Sequence, residues 1–74
     1  MNGGIENEIL KQIAEKLLMK KQEMLVLASG REDAVQIVNS ALNSLLAKGM
    51  ITAAPVGDGT FAVTQKGMRE ARKV

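Results

Sequence analysis

The sequence contains no cysteine, no histidine, no tryptophan and no tyrosine, and only one phenylalanine in 74 residues. Without cysteine there is no disulfide framework and no thiolate metal site. Without histidine, the side chain that most often serves as a general base near neutral pH is missing. Ser29, Ser40 and Ser44 therefore have no imidazole to activate them, and such serines are ordinarily caps or surface groups. Glu6, Glu8 and Glu15 sit among lysines in one mixed-charge stretch, which reads as ordinary solvation. Stacking on single-stranded nucleic acid needs aromatic platforms, and Phe61 alone reads as a core residue. A phosphate-cradling loop needs glycines followed by Lys-Ser/Thr at a helix start; Gly57-Asp58-Gly59-Thr60 lacks the lysine and leads into a strand. These absences argue against an enzyme and lead us to expect no catalytic residue, no metal and no cofactor. No apolar run approaches the roughly 18 residues of a membrane span, and the N-terminus carries no charged-then-apolar signal pattern. The expectation is a soluble cytoplasmic protein.

What is present suits one small folded domain over 1–74, with residues 1–4, including Gly3 and Gly4, expected to be frayed. Apolar residues make up 46% and charged residues 24%, a globular rather than a disordered balance. The pI near 9.2 overstates the basicity, because almost nothing titrates between the carboxylates and the amines. The distribution of charge says more. Residues 1–24 carry four lysines against four glutamates, and 25–49 carry Arg31 and Lys48 against Glu32 and Asp33. The whole net charge of +2 lies in the remainder, where Lys66, Arg69, Arg72 and Lys73 face Asp58 and Glu70. Such a basic end suits phosphate or an acidic partner. It also suits a solvated last turn whose cations complement the helix dipole.

Ile5, Ile9, Leu10, Ile13, Ala14, Leu17 and Leu18 recur at helical spacing and predict a first helix with one broad apolar stripe. Glu6 and Glu8 fall in its first turns and Lys16, Lys20 and Lys21 near its end, as the macrodipole favours. The stripe serves the core or, alternatively, a dimer seam. Glu23-Met24-Leu25-Val26-Leu27-Ala28 is nearly continuous apolar and too short to separate helix from strand by period; we read it as a helix stopped at Gly30. Ala34, Val35, Val38, Ala41, Leu42 and Leu45 form the apolar stripe of a further helix over 34–48, with Asp33 as N-cap and Gly49 just past its end. Its opposite face reads Gln36, Asn39, Ser40, Asn43 and Ala47, with no charge before Lys48. Glu and Lys usually fill such a face because they favour helix formation and solubility; Asn and Ser do neither. Three explanations stand side by side: amides and hydroxyls reading base edges, contact with another protein, or a helix break near Asn39-Ser40 capped by the serine.

Beyond Gly49 the pattern changes to two strands around Gly57-Asp58-Gly59. A two-residue Asp58-Gly59 turn would pair Val56 with Phe61 and Ala54 with Val63. A three-residue loop opposing Pro55 to Phe61 and Ala53 to Val63 keeps Ile51, Phe61 and Val63 on one face, and is preferred. Pro55 lacks a backbone donor and marks its strand as an edge. Thr64 then caps a last helix with Gly67 in its first turn.

Two stretches carry a resemblance. Val38-Asn39-Ser40-Ala41-Leu42-Asn43-Ser44-Leu45-Leu46-Ala47-Lys48-Gly49-Met50-Ile51 is similar to the end of a recognition helix running into a first wing strand. Phe61-Ala62-Val63-Thr64-Gln65-Lys66-Gly67 is similar to a second wing strand and the Thr-x-Lys-Gly start of the next helix. Together, these 21 residues resemble the winged helix-turn-helix family, in particular small regulators of MarR or PadR type. The resemblance implies an α+β, mostly helical fold: three helices, a C-terminal β-hairpin wing and a short last helix. It also implies a transcriptional regulator binding double-stranded DNA. Gln36, Asn39, Ser40 and Asn43 would lie at base edges, and Lys48, Lys66 and Arg69, with Lys20 or Lys21, at phosphates. A homodimer is expected, because one small module contacts few bases. The chain departs from the family in two places: Gly30 lies further from the recognition helix, and the wing tip carries Asp58 where Arg or Lys is common. No effector pocket or metal site of the family maps onto these residues. The alternative is a winged-helix protein-interaction or dimerisation module that never touches nucleic acid. DNA binding calls for a continuous positive stripe across helix 34–48 and the wing.

Overall fold

A computed structural model describes residues 3–29, 32–55, 57 and 59–73. The fold is α+β and mostly helical, with four helices and a small three-stranded antiparallel sheet. In chain order these are α1 (Gly3–Lys16), β1 (Leu18–Lys20), α2 (Lys21–Leu27), α3 (Ala34–Ala47), β2 (Ile51–Ala53), β3 (Thr60–Val63) and α4 (Gln65–Ala71). The sheet order is β1-β3-β2, so the last strand lies between the other two.

The expected first helix is corrected at both ends. Gly3 and Gly4 belong to α1 rather than to a frayed segment, while Met1 and Asn2 lie outside the described residues. At the other end α1 stops at Lys16, and Leu17 and Leu18 leave the apolar stripe for the surface. Leu17 adopts φ 72°, a left-handed conformation that ends the helix, while its N–H still donates to the Ile13 carbonyl at 2.7 Å. The chain then reverses into β1, where Met19 points into the core and Leu18 and Lys20 point out. Lys20 and Lys21 therefore end β1 and begin α2 rather than close α1. Along β3, Val63 N–H donates to the Leu17 carbonyl at 3.1 Å, and Lys21 N–H donates to the Gly59 carbonyl at 2.7 Å. The Glu23 carboxylate accepts from Lys16 Nζ at 3.0 Å and from Lys20 N–H at 3.3 Å, which fastens the start of α2. Those two bonds, the Lys16 one foremost, hold its carboxyl below the ordinary range.

Residues 23–28 form a helix as expected through Leu27, with Met24 and Ala28 buried; Gly30, the expected stop, lies outside the described residues. The helix read at 34–48 is present as α3, continuous through Asn39 and Ser40, so a capped break there is excluded. Asp33 occupies the N-cap position, but its side chain makes no capping hydrogen bond to the first N–H groups of α3. Val38, Ala41, Leu42 and Leu45 face the core, but Val35 does not: it is 56% exposed, because the helix turns its buried side toward α1 and α2. At the C-terminus Gly49 takes φ 74°, its N–H donating to Leu46 O at 3.1 Å while Met50 N–H donates to Leu45 O at 3.0 Å. This Schellman pair satisfies two carbonyls that the helix end leaves without partners.

The hairpin register differs from both expectations. Ile51 faces Val63, Thr52 faces Ala62 and Ala53 faces Phe61, two residues from the preferred Pro55–Phe61 and Ala53–Val63 pairing. The last ladder bond runs from Ala54 N–H to Thr60 O at 2.9 Å, and Pro55 falls where a backbone N–H would point away from β3, so its missing donor leaves no bond unmade to β3. A shift of two keeps Ile51, Phe61 and Val63 on one face, as the pleat requires. Val56 and Asp58, at the connection, lie outside the described residues.

Ile9 and Ile13 of α1, Met19, Met24, Val38, Leu45 and Ile51 build the centre of the core, and the described residues bury no polar or charged side chain. Phe61, expected in the core, packs against its edge half-buried. Two substitutions test the backbone logic. In α4, a Cβ on Gly67 would overlap the Met50 carbonyl oxygen and meet Val63 Cγ2 at 2.9 Å. Gly67→Ala is therefore expected to lower stability by about 1–3 kcal/mol in denaturant melts, although alanine is the better helix former. At Leu17 the strain runs the other way. Leu17→Gly is expected to raise stability by up to about 1 kcal/mol and Leu17→Val to lower it, since a β-branched residue suffers most at positive φ.

Candidate interface on helix α3

The face of α3 turned away from the core is not covered by another element of the fold among the described residues. Gln36, Ser40 and Asn43 are exposed on it and Asn39 is half-buried, so the four expected reading residues share one helix side. Apolar groups share it too. Val35 and Leu46, the latter 38% exposed, stand eleven residues apart, about three helical turns, and so lie in line along the helix. The sequence stripe had placed Val35 inside, and Leu46 carried no signal of exposure because leucine at this spacing fits either side.

One flank of this face carries two carboxylates, Glu6 and Asp33. A cleft of about 420 Å³ between the start of α1 and α3 is lined by Glu6, Asp33, Gln36, Ile37, Ser40, Ala41 and Ser44. Glu6 also pairs with Lys48, whose Nζ donates to Oε2 at 2.7 Å. The carboxylate side chain is 17% exposed and the lysine side chain 51%. Burial alone pushes the Glu6 carboxyl up; hydrogen bonds from Lys48 and Ser44, with the lysine charge, outweigh it and hold the group below its ordinary value. Lys48 therefore sits at the expected end of α3 but with its charge already answered. Sequence reasoning missed this pair because 42 residues separate its partners.

The expected phosphate contacts divide. Thr64 Oγ1 donates to the Gly49 carbonyl at 2.6 Å, which ties the start of α4, the helix that carries exposed Lys66, to the residue that ends α3. Arg69 lies one turn further along α4, lining a shallow cleft with Gln65, Met68 and Arg72. Helix α4 packs on α1 and makes no comparable contact with α3. Lys20, in the edge strand β1, is exposed. Residues 51–63 contain no lysine or arginine. The continuous positive stripe across helix and hairpin that DNA binding calls for is therefore not present, since α3 and the hairpin carry no cation along their length. Among the described residues no cluster of three or more potential metal ligands occurs, and no helix is long and apolar enough to cross a membrane.

The Glu6–Lys48 pair has a testable pH signature. A carboxyl whose folded pKa is depressed contributes stability above its unfolded pKa and loses it as pH falls through the folded value. At pH 7 the wild type is expected to exceed Glu6→Gln by about 0.5–1 kcal/mol, the range of a half-exposed pair. By about pH 3, below the ordinary carboxylate range, the gap should have narrowed. A gap that stays constant from pH 7 to 3 in urea melts would show that the pair contributes through packing, not charge.

No protein-family model matches the chain, and no curated protein or solved structure shows significant similarity to it.

Proposed function

We propose that the chain is a winged helix-turn-helix module that binds double-stranded DNA with α3 in the major groove. The β2–β3 hairpin is then the wing, α2 and α3 the helix-turn-helix, and β1 the strand that completes the small sheet. The observation that carries the reading is the exposed face of α3, where amides and a hydroxyl are presented on one side of an uncovered fourteen-residue helix. Gln36, Asn39 and Asn43 suit the paired donor and acceptor of adenine, and Ser40 suits either base type. Lys48 and Lys66 meet phosphates around the C-terminal end of the helix, with phosphate displacing Glu6 from Lys48; Arg69, carried away along α1, is left out of this contact set. One module of this size covers few bases, so two copies on a symmetric site are part of the proposal, as is a role in transcription regulation.

A second reading is favoured by a specific observation. Val35 and Leu46 expose apolar surface on the same face, Glu6 answers Lys48, and the hairpin carries no cation. Those features suit a protein partner docked on α3 with no nucleic acid involved.

Fluorescence anisotropy with a labelled random duplex separates the two. Two engaged cations per module give a slope of log K against log salt of about −2 for each module bound, a loss of about 15-fold between 50 and 200 mM salt. Lys66→Gln is expected to flatten the slope by about one unit without changing base preference, whereas Asn43→Ala changes preference and leaves the slope alone. Absence of duplex binding at low salt, with the protein folded, overturns the DNA reading and leaves the protein-docking one.

A further inference from the structure

A second surface lies on the other flank of α1, and it does not depend on what α3 binds. Between α1 and α4 runs a groove of about 420 Å³ lined by Lys11, Ala14, Glu15, Met68, Ala71 and Arg72. Next to it, the shallower cleft formed by Gln65, Met68, Arg69 and Arg72 adds about 260 Å³. The two share Met68 and Arg72, so the smaller cleft borders the α1/α4 groove. Its floor is aliphatic, from Ala14, Met68 and Ala71, and Met68 is 37% exposed although its helix is packed on α1. Around it stand Lys11, Arg69 and Arg72 against one carboxylate, Glu15. The neighbouring Glu70 is engaged by Lys73 Nζ at 3.1 Å. The groove therefore combines a positive rim with an adaptable apolar floor, and it collects the charge excess that the rest of the chain cancels.

We propose that this α1/α4 groove docks an acidic amphipathic helix from a partner protein. A groove between two helices takes a third helix by its apolar stripe, at i, i+3/i+4 and i+7. The unbranched thioether of Met68 adapts to such a stripe. Carboxylates flanking the stripe meet Lys11, Arg69 and Arg72, which set orientation and speed association. A nucleic-acid backbone meets only half of this surface: it neutralises the rim but has nothing apolar to lay on the floor. Nor does the groove offer an aromatic ring for base stacking, since the single aromatic, Phe61, packs at the sheet.

The test uses the full chain and a labelled helical peptide of Glu, Leu and Ala, about 15 residues long, with its leucines on one face. Three controls accompany it: the same composition scrambled to destroy the face, polyglutamate of equal charge, and random duplex DNA as competitor. The amphipathic peptide is expected to bind, with Met68→Asp, Arg72→Glu and Lys11→Glu each weakening it by at least about fivefold. All three positions are exposed, and Lys11 lies on α1 while Arg72 caps the end of α4, so a folding defect in one variant does not silence the test. Circular dichroism melts check each fold. The scrambled peptide and polyglutamate are expected to bind at least about tenfold more weakly, because neither supplies an apolar face. Equal binding of either control, displacement by duplex DNA at equal charge, or no peptide binding up to about 1 mM each overturns the proposal. Duplex binding measured in the absence of peptide reports on α3 separately, so failure of one proposal is distinguishable from failure of the other.

Discussion

Four elements meet at a single polar junction, and the arrangement of the C-terminal half follows from it. Thr64 N–H donates to the Met50 carbonyl at 3.0 Å, and the Thr64 hydroxyl donates to the Gly49 carbonyl at 2.6 Å. The same hydroxyl oxygen accepts from Gly67 N–H at 3.0 Å, capping α4. One side chain thereby joins the end of α3, the approach to β2, the end of β3 and the start of α4. Gly49 turns the chain out of α3 at positive φ, and Gly67 lets α4 settle on the Met50 carbonyl where any Cβ would collide. The junction also positions charge: it ties the helix that carries Lys66 to the end of α3, while the direction of α4 carries Arg69 and Arg72 away along α1.

Electrostatics divide the molecule into two different surfaces. Helix α3 is uncharged over its whole length, and the nearest cation is held by Glu6. On either proposed reading, α3 offers hydrogen-bonding groups and apolar contact rather than charge along its length. The α1/α4 side has the opposite character, cations around an aliphatic floor. A net charge of only +2 conceals this difference, because it says nothing of the cations gathered around the α1/α4 groove or of the uncharged length of α3. Long-range steering depends on where such charges sit rather than on their total.

Legibility in the sequence tracked the length and locality of each signal. Helix α3 was readable with both ends, since fourteen residues of 3.6-residue periodicity, an Asp at one end and a Gly at the other all agree. The Thr64 cap was readable for the same local reason. Strand β1 was not: three residues carry no period, and Leu17 and Leu18 continue the apolar spacing of α1 although both end up exposed. The hairpin register slipped by two because sequence alternation specifies which face a residue takes but not how far along its partner it lies. For the candidate site, the grouping of Gln36, Asn39, Ser40 and Asn43 on one helix face was legible. The Glu6–Lys48 pair and the cleft lined by Glu6 and Asp33 were not, being contacts between residues far apart in the chain.

By itself, the sequence determined the types of most elements, the face of α3 that carries amides, and the absence of histidine and thiol chemistry. Those are properties of residues and their near neighbours, and near neighbours are all that periodicity and capping report. Tertiary structure alone decided where α1 ends, which strands pair, that Lys48 is answered by Glu6, and that the basic helix lies along α1 rather than beside α3. Each of these depends on which surface is buried against which, and burial is settled only when all the elements pack together.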